Sequence, residues 1–139
     1  MDVSFQITND LAELNTLQAH LKDLQSVWLL PPKTVAEINL VLEEIIANII
    51  AHGDCAKQHP ITITLEREGQ ELTMTVADEG PSFDPTICAT PDVTLPLQDR
   101  KSGGLGLHLV RTFCQCCSYT RKNDMNILTL KRILPKECR

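Results

Sequence analysis

The sequence predicts an α+β fold, a two-layer sandwich with helices on one face of a mixed or antiparallel sheet. Three observations predict it. Apolar residues recur at every third or fourth position from Leu11 to Leu24 and again from Val35 to Ile49, the spacing of two amphipathic helices. Two neighbouring segments, from Ile61 and from Leu72, alternate strictly between apolar and polar residues, as half-buried strands do. The strands then segregate from the helices in the order strand, helix, helix, strand, strand, long loop, helix, strand, strand, which points to helices packed on one side of a sheet.

Each element has a local cause. Val3, Phe5 and Ile7 share one face of a first strand, and Thr8, Asn9 or Asp10 supplies a helix N-cap. Leu11, Leu14, Leu17, Leu21 and Leu24 form the stripe of a first helix that ends near Trp28. Leu30-Pro31-Pro32 breaks the chain, and Pro32 leads into the central helix. Its buried face is Val35, Ile38, Leu42, Ile45, Ile46 and Ile49, with Gly53 at the C-terminal cap position. After a polar loop from His52 to Pro60, Ile61, Ile63 and Leu65 form a strand. Glu68-Gly69-Gln70 turns the chain, and Leu72, Met74 and Val76 form the next strand. Residues 86–102 contain Pro91 and Pro96 and little periodicity, the mark of a functional lid or a disordered segment, with a lid placed at about 84–103. A helix begins near Leu107, and strands at about Cys117–Arg121 and Ile127–Leu134 close the chain around an Asn123-Asp124 turn, with Leu128, Leu130 and Leu134 inward.

Composition narrows the function classes. At 139 residues the chain reads as one domain, 1–139, long enough to bury a core. A net charge of -5 argues against direct binding to nucleic acid or anionic membranes, since no basic excess is present to neutralise phosphates. The N-terminal residues lack the basic-then-apolar order of a signal peptide and no apolar run is long enough to span a bilayer, so a cytoplasmic protein is expected. The six cysteines then read as free thiols and small buried hydrophobes.

Three stretches carry chemistry. On the central helix, at about 100° per residue, Glu37, Glu44 and Asn48 share a narrow strip beside Val41, while Glu43 falls on the opposite flank. An amide oxygen at Asn48 suits a hard cation, and a carboxylate one turn earlier can accept a proton; taken alone, the pair reads more readily as a solvated helix edge. Asp78 has the parity of Leu72, Met74 and Val76, so it points to the covered face of the sheet, where a charge requires a partner from the protein or a ligand. Gly103-Gly104-Leu105-Gly106-Leu107 runs straight into a helix, and such a turn brings backbone N–H groups close to phosphate oxygens. No Lys-Ser or Lys-Thr follows the last glycine, which excludes a Walker loop.

In this order the three stretches resemble the ATP-binding fold shared by DNA gyrase, histidine kinases, the ninety-kilodalton heat-shock chaperones and mismatch-repair ATPases. The correspondence runs through Glu44-x-x-x-Asn48, Asp78-x-Gly80 and Gly104-x-Gly106-Leu107. Within that superfamily the chain is similar to the small anti-sigma-factor serine/threonine kinases, through Asn48-x-x-x-His52-Gly53 and Phe83-Asp84-Pro85 as well. The resemblance implies ATP and magnesium as cofactors, with Asn48 ligating magnesium and Glu44 acting as catalytic base or orienting carboxylate. It implies that Asp78 accepts a hydrogen bond from the adenine amine and that Gly80 allows the base to approach. Gly103, Gly104, Leu105, Gly106 and Leu107 would cradle phosphates, and Arg100 or Lys101 would neutralise the terminal phosphate.

The same resemblance implies phosphorylation of a small anti-sigma-factor antagonist, binding of a sigma factor, and a homodimer. Three other readings stay open at this point: a nucleotide-dependent binding module without transfer, a histidine-kinase-type domain acting in trans, and a simple ATPase. Cys114-Gln115-Cys116-Cys117 matches no feature of the resemblance.

Overall fold

The alternating and helical patterns fold as β1 (Asp2–Thr8), a 3-10 turn (Leu11–Glu13), α1 (Leu14–Val27), α2 (Pro32–His52), β2 (Pro60–Glu68), β3 (Glu71–Asp78), β4 (Cys116–Lys122) and β5 (Met125–Ile133). The computed structural model describes residues 2–52, 58–82, 110 and 112–135. Val110, Thr112 and Phe113 have helical backbone, in keeping with the helix expected there. The Gly53 cap, the lid and the glycine run lie outside the described residues.

The five strands form one sheet in the order β1-β2-β3-β5-β4. Every neighbouring pair is antiparallel, which resolves the mixed-or-antiparallel expectation in favour of the second. Register is set by short turns. Gly69 takes φ 61 between β2 and β3, and Asn123 and Asp124 take φ 54 and 60 between β4 and β5. A two-residue hairpin with both central residues at positive φ matches the right-handed twist of its strands. Asp10 caps the 3-10 turn by accepting from the Ala12 N–H at 2.9 Å. At the far end of α1, Leu29 takes φ 53 where glycine is usual, and the Leu30 N–H returns to the Gln25 carbonyl at 3.1 Å before the proline pair.

Apolar side chains of one sheet face meet α1 and α2 in a single core that includes Leu17, Leu42, Ile46, Ile61, Met74 and Leu130, all fully buried. Leu128 and Leu134 face inward as expected. Two positions on α2 depart from the helical-wheel expectation. Val41, left out of the buried face as the neighbour of the polar strip, is buried at 1% exposure, and Ile49, placed in the core, is half-buried. The buried stripe of α2 is broader than one helix face suggests, and Ile49 packs at the margin of the core. The three described cysteines are free thiols, as expected, but they are not all buried, and Cys55, Cys88 and Cys138 lie outside the described residues. Cys114 and Cys117 are half-buried thiols packed against the core, but Cys116 is exposed on the other face of β4. Burial pushes the Cys114 thiol above its ordinary range, with the nearby Arg132 guanidinium pulling the other way.

Among the described residues no helix is long and apolar enough to cross a membrane. The direction of α2 over the sheet decides which residues can meet. Val35 and Ile38, near its start, line a small apolar cavity with Leu65 and Leu72, which flank the β2–β3 turn. The C-terminal half of α2 therefore lies over the opposite end of the sheet, where β3 finishes at Asp78.

Candidate functional site

The site grows from a conflict in the sequence. The β3 alternation that drives Leu72, Met74 and Val76 into the core carries Asp78 in with them, and it ends 3% exposed. An ionised carboxylate there costs several kcal/mol unless donors surround it. The protein supplies them on one oxygen. The Gly80 N–H donates to Oδ2 at 2.9 Å and the Asn126 amide donates to the same atom at 3.4 Å. His59, just before β2, brings Nε2 to 3.8 Å from Oδ2. No described residue bonds Oδ1. Among the described residues the carboxylate is thus held at one oxygen and left with acceptor capacity at the other.

Gly80 is needed for this arrangement. A Cβ at Gly80 would lie 2.7 Å from Asp78 Oδ2 and 3.7 Å from His59 Nε2. The Asp78 side chain is short and bonded, so it cannot swing away cheaply. Gly80→Ala is therefore expected to push the carboxylate out of place and to destabilise the fold by about 1–3 kcal/mol, the cost of disturbing a hydrogen bond to a buried charged group. A thermal melt of the variant against the wild type checks this.

The loop that leaves Asp78 is bolted to the β4–β5 hairpin. Arg121 Nη1 donates to the Gly80 carbonyl at 2.7 Å and to Asn126 Oδ1 at 3.2 Å. Tyr119 donates its hydroxyl hydrogen to Asn126 Oδ1 at 2.5 Å. The Asn126 amide nitrogen donates to the Pro81 carbonyl at 2.8 Å and reaches the Gly80 carbonyl at 3.4 Å. The Ser82 hydroxyl lies 3.4 Å from that of Tyr119. Sequence reasoning missed Asn126, Arg121, Tyr119 and His59. One signal was available: Asn126 shares the inward parity of Leu128 and Leu130, and a buried amide among leucines needs polar partners.

Glu44 and Asn48 sit one helical turn apart on α2, both half-buried. Neither bonds another described residue. Their neighbours are engaged. Arg132 Nη2 donates to Glu37 Oε1 at 2.6 Å, and the Asn39 amide donates to Glu43 Oε1 at 3.0 Å. Of the carboxylates on this stretch, Glu44 is the one without a side-chain bond among the described residues. An unengaged carboxylate and an unengaged amide oxygen one turn apart form a donor set that suits magnesium, a hard cation that takes few protein ligands and keeps water and phosphate oxygens. Among the described residues no three His, Cys, Asp or Glu side chains gather as a self-sufficient metal cage.

The structure thus joins Asp78 to Gly80 directly and places Glu44 and Asn48 on the half of α2 that covers the same end of the sheet. It gives no direct bond between the two pairs. Arg100, Lys101, Gly103, Gly104, Leu105, Gly106 and Leu107 lie outside the described residues.

Known proteins share this arrangement of elements. The sequence model of the histidine kinase-like ATPase domain matches residues 7–132. Serine/threonine-protein kinase BtrW of Bordetella bronchiseptica is 36% identical over 95 residues, which are 67% of this chain and 66% of that kinase. The chain thus spans just under two-thirds of this relative's length. Among solved structures, the RsbU and RsbW domains of a Mycobacterium tuberculosis protein superpose with a TM-score of 0.67 at 14% identity, over 100% of this chain and 34% of the other. The blue-light activated histidine kinase of Erythrobacter litoralis superposes with a TM-score of 0.54 at 17% identity, over 76% of this chain and 32% of the other. At these identities the two superpositions bear on the fold alone.

Proposed function

The chain belongs to the histidine kinase-like ATPase domain family, and from that membership we propose that it is an ATP-dependent protein kinase of the partner-switching type. Its substrate in this reading is a serine or threonine of a small anti-sigma-factor antagonist. A sigma factor as second partner, a homodimeric state and a cytoplasmic location belong to the same proposal. The similarity to a serine/threonine kinase supports the class of reaction. The observation that carries the nucleotide site is Asp78, a buried carboxylate held by donors at Oδ2 and left with an acceptor at Oδ1.

Each residue has a task that its environment allows. Asp78 Oδ1 accepts from the exocyclic amine of adenine, and Gly80 leaves room for the ring. Asn48 offers its amide oxygen to magnesium. Glu44 accepts the proton of the attacking hydroxyl, a role for which an unengaged carboxylate at a half-buried helix edge is suited. Gly103, Gly104, Leu105, Gly106 and Leu107 would offer backbone N–H groups to the phosphates, and Arg100 or Lys101 would cover the terminal phosphate. Magnesium-bound ATP supplies the phosphoryl group, and transfer then depends mainly on positioning and charge neutralisation. A phosphoryl group adds about -1.5 to -2 charges to the antagonist, enough to break a docked interface by repulsion and desolvation.

The test is transfer of labelled γ-phosphate to small antagonist-type proteins, with magnesium present or chelated. Acid-stable, magnesium-dependent label on one of them is the expected result. Acid-labile label would move the reading to a histidine-kinase-type reaction in trans. Free phosphate without any partner would mark a simple ATPase. ATP binding with no label and no hydrolysis would leave a nucleotide-dependent binding module.

A further inference from the structure

We propose that Asn126 and Arg121 are positioning residues that make the site select purines with a 6-amino group over those with a 6-oxo group. The inference rests on the reading of Asp78 and Gly80 as an ATP site. Asn126 is 7% exposed and stands between two sets of groups of opposite character. Its Oδ1 faces donors, the Tyr119 hydroxyl at 2.5 Å and the Arg121 guanidinium at 3.2 Å. Its Nδ2 faces acceptors, the Pro81 carbonyl at 2.8 Å, the Gly80 carbonyl at 3.4 Å and Asp78 Oδ2 at 3.4 Å.

A tyrosine hydroxyl can donate or accept, but a guanidinium only donates. Arg121 therefore fixes which end of the amide is the acceptor. The same Nη1 holds the Gly80 carbonyl at 2.7 Å, so one cation sets both the amide and the loop. Turning the amide over would place an oxygen against three acceptors and expose two N–H groups to a cation.

The consequence falls on Asp78. With Nδ2 and the Gly80 N–H both donating to Oδ2, the side chain remains an acceptor, and Oδ1 presents a lone pair. A 6-amino purine donates into it. A 6-oxo purine offers a carbonyl oxygen and is repelled. Neither Asn126 nor Arg121 needs to touch the base, since both act through the side chain that does.

The experiment is calorimetric measurement of ATP and GTP affinities on the full chain, for the wild type, Asn126→Asp, Arg121→Gln and Arg121→Lys. Asn126→Asp keeps the shape but sets a second carboxylate beside Asp78; the two cannot both stay charged, and a shared proton turns one into a donor. The ATP-to-GTP ratio is expected to fall about tenfold or more in that variant, the effect of one hydrogen bond to a charged group. Arg121→Gln, whose amide can donate or accept, is expected to lower the ratio less. Arg121→Lys, which only donates, should retain more of it than Gln does.

A purely structural role would weaken both nucleotides alike and leave the ratio unchanged; that result in folded Arg121→Gln and Asn126→Asp overturns the inference while the ATP-site reading stands. Equal affinity of the wild type for ATP and GTP, or affinity for neither, overturns the ATP-site reading itself, and the inference with it. Arg121 is exposed, so its variants keep the comparison available even where the buried Asn126→Asp lowers stability.

Discussion

An Asp78→Asn variant is expected to lose about 10- to 100-fold in ATP affinity, the range for a hydrogen bond to a charged group. Its preference should also shift towards GTP. The direction is set by the geometry at one atom. The Gly80 N–H and the Asn126 amide nitrogen both donate to Asp78 Oδ2, at 2.9 and 3.4 Å. In the variant the single side-chain oxygen must occupy that place, because an NH2 group there would face two donors. The NH2 group is then forced into the position of Oδ1, where it opposes the amine of adenine and suits the carbonyl of guanine. Titration of both nucleotides reads the effect directly. Unchanged affinities would remove Asp78 from the site, and a loss without any change in preference would show that its charge, not its acceptor geometry, matters.

Replacing Glu44 by alanine is expected to lower phosphoryl transfer by about 10²- to 10⁴-fold, the usual contribution of a positioned acid or base, while ATP affinity is retained. The separation of rate from binding is the informative part. Glu44 forms no bond with another described residue and is half-buried at a helix edge, so its removal breaks no internal pair and should alter stability by no more than about 0.5 kcal/mol. Glu37 is the control. It shares the same helical strip, but it is bound to Arg132 at 2.6 Å, with side chains 20% and 11% exposed respectively. Glu37→Ala strands a largely buried guanidinium and should destabilise the fold without a selective effect on transfer. Equal loss of rate in the two variants at equal stability would deny Glu44 a catalytic role.

These two expectations differ in how much of their basis was legible in the sequence. That Asp78 points inward followed from parity alone, because a strand has a period of two and Leu72, Met74 and Val76 had already fixed which face is buried. The sandwich, its two main helices and the hairpin at Asn123-Asp124 were legible for the same reason: each rests on local periodicity or local turn chemistry. The wheel that set Glu44 with Asn48 was equally local. It could not separate Glu44 from Glu37, and it left Val41 out of the buried face, since the width of the buried stripe depends on the sheet beneath the helix.

The sequence by itself determined the class of fold, the inward turn of Asp78 and the one-turn spacing of Glu44 and Asn48, because dihedral periodicity and side-chain polarity act over a few residues. Only the tertiary structure decided which groups meet. Arg132 reaches Glu37 across 95 positions, and Asn126 reaches Asp78 across 48. Antiparallel pairing of β3 with β5 sets Asn126 opposite Asp78. A pairing made by strand register has no trace in local pattern, and it is that register which brings the Asn126 amide to one oxygen of Asp78.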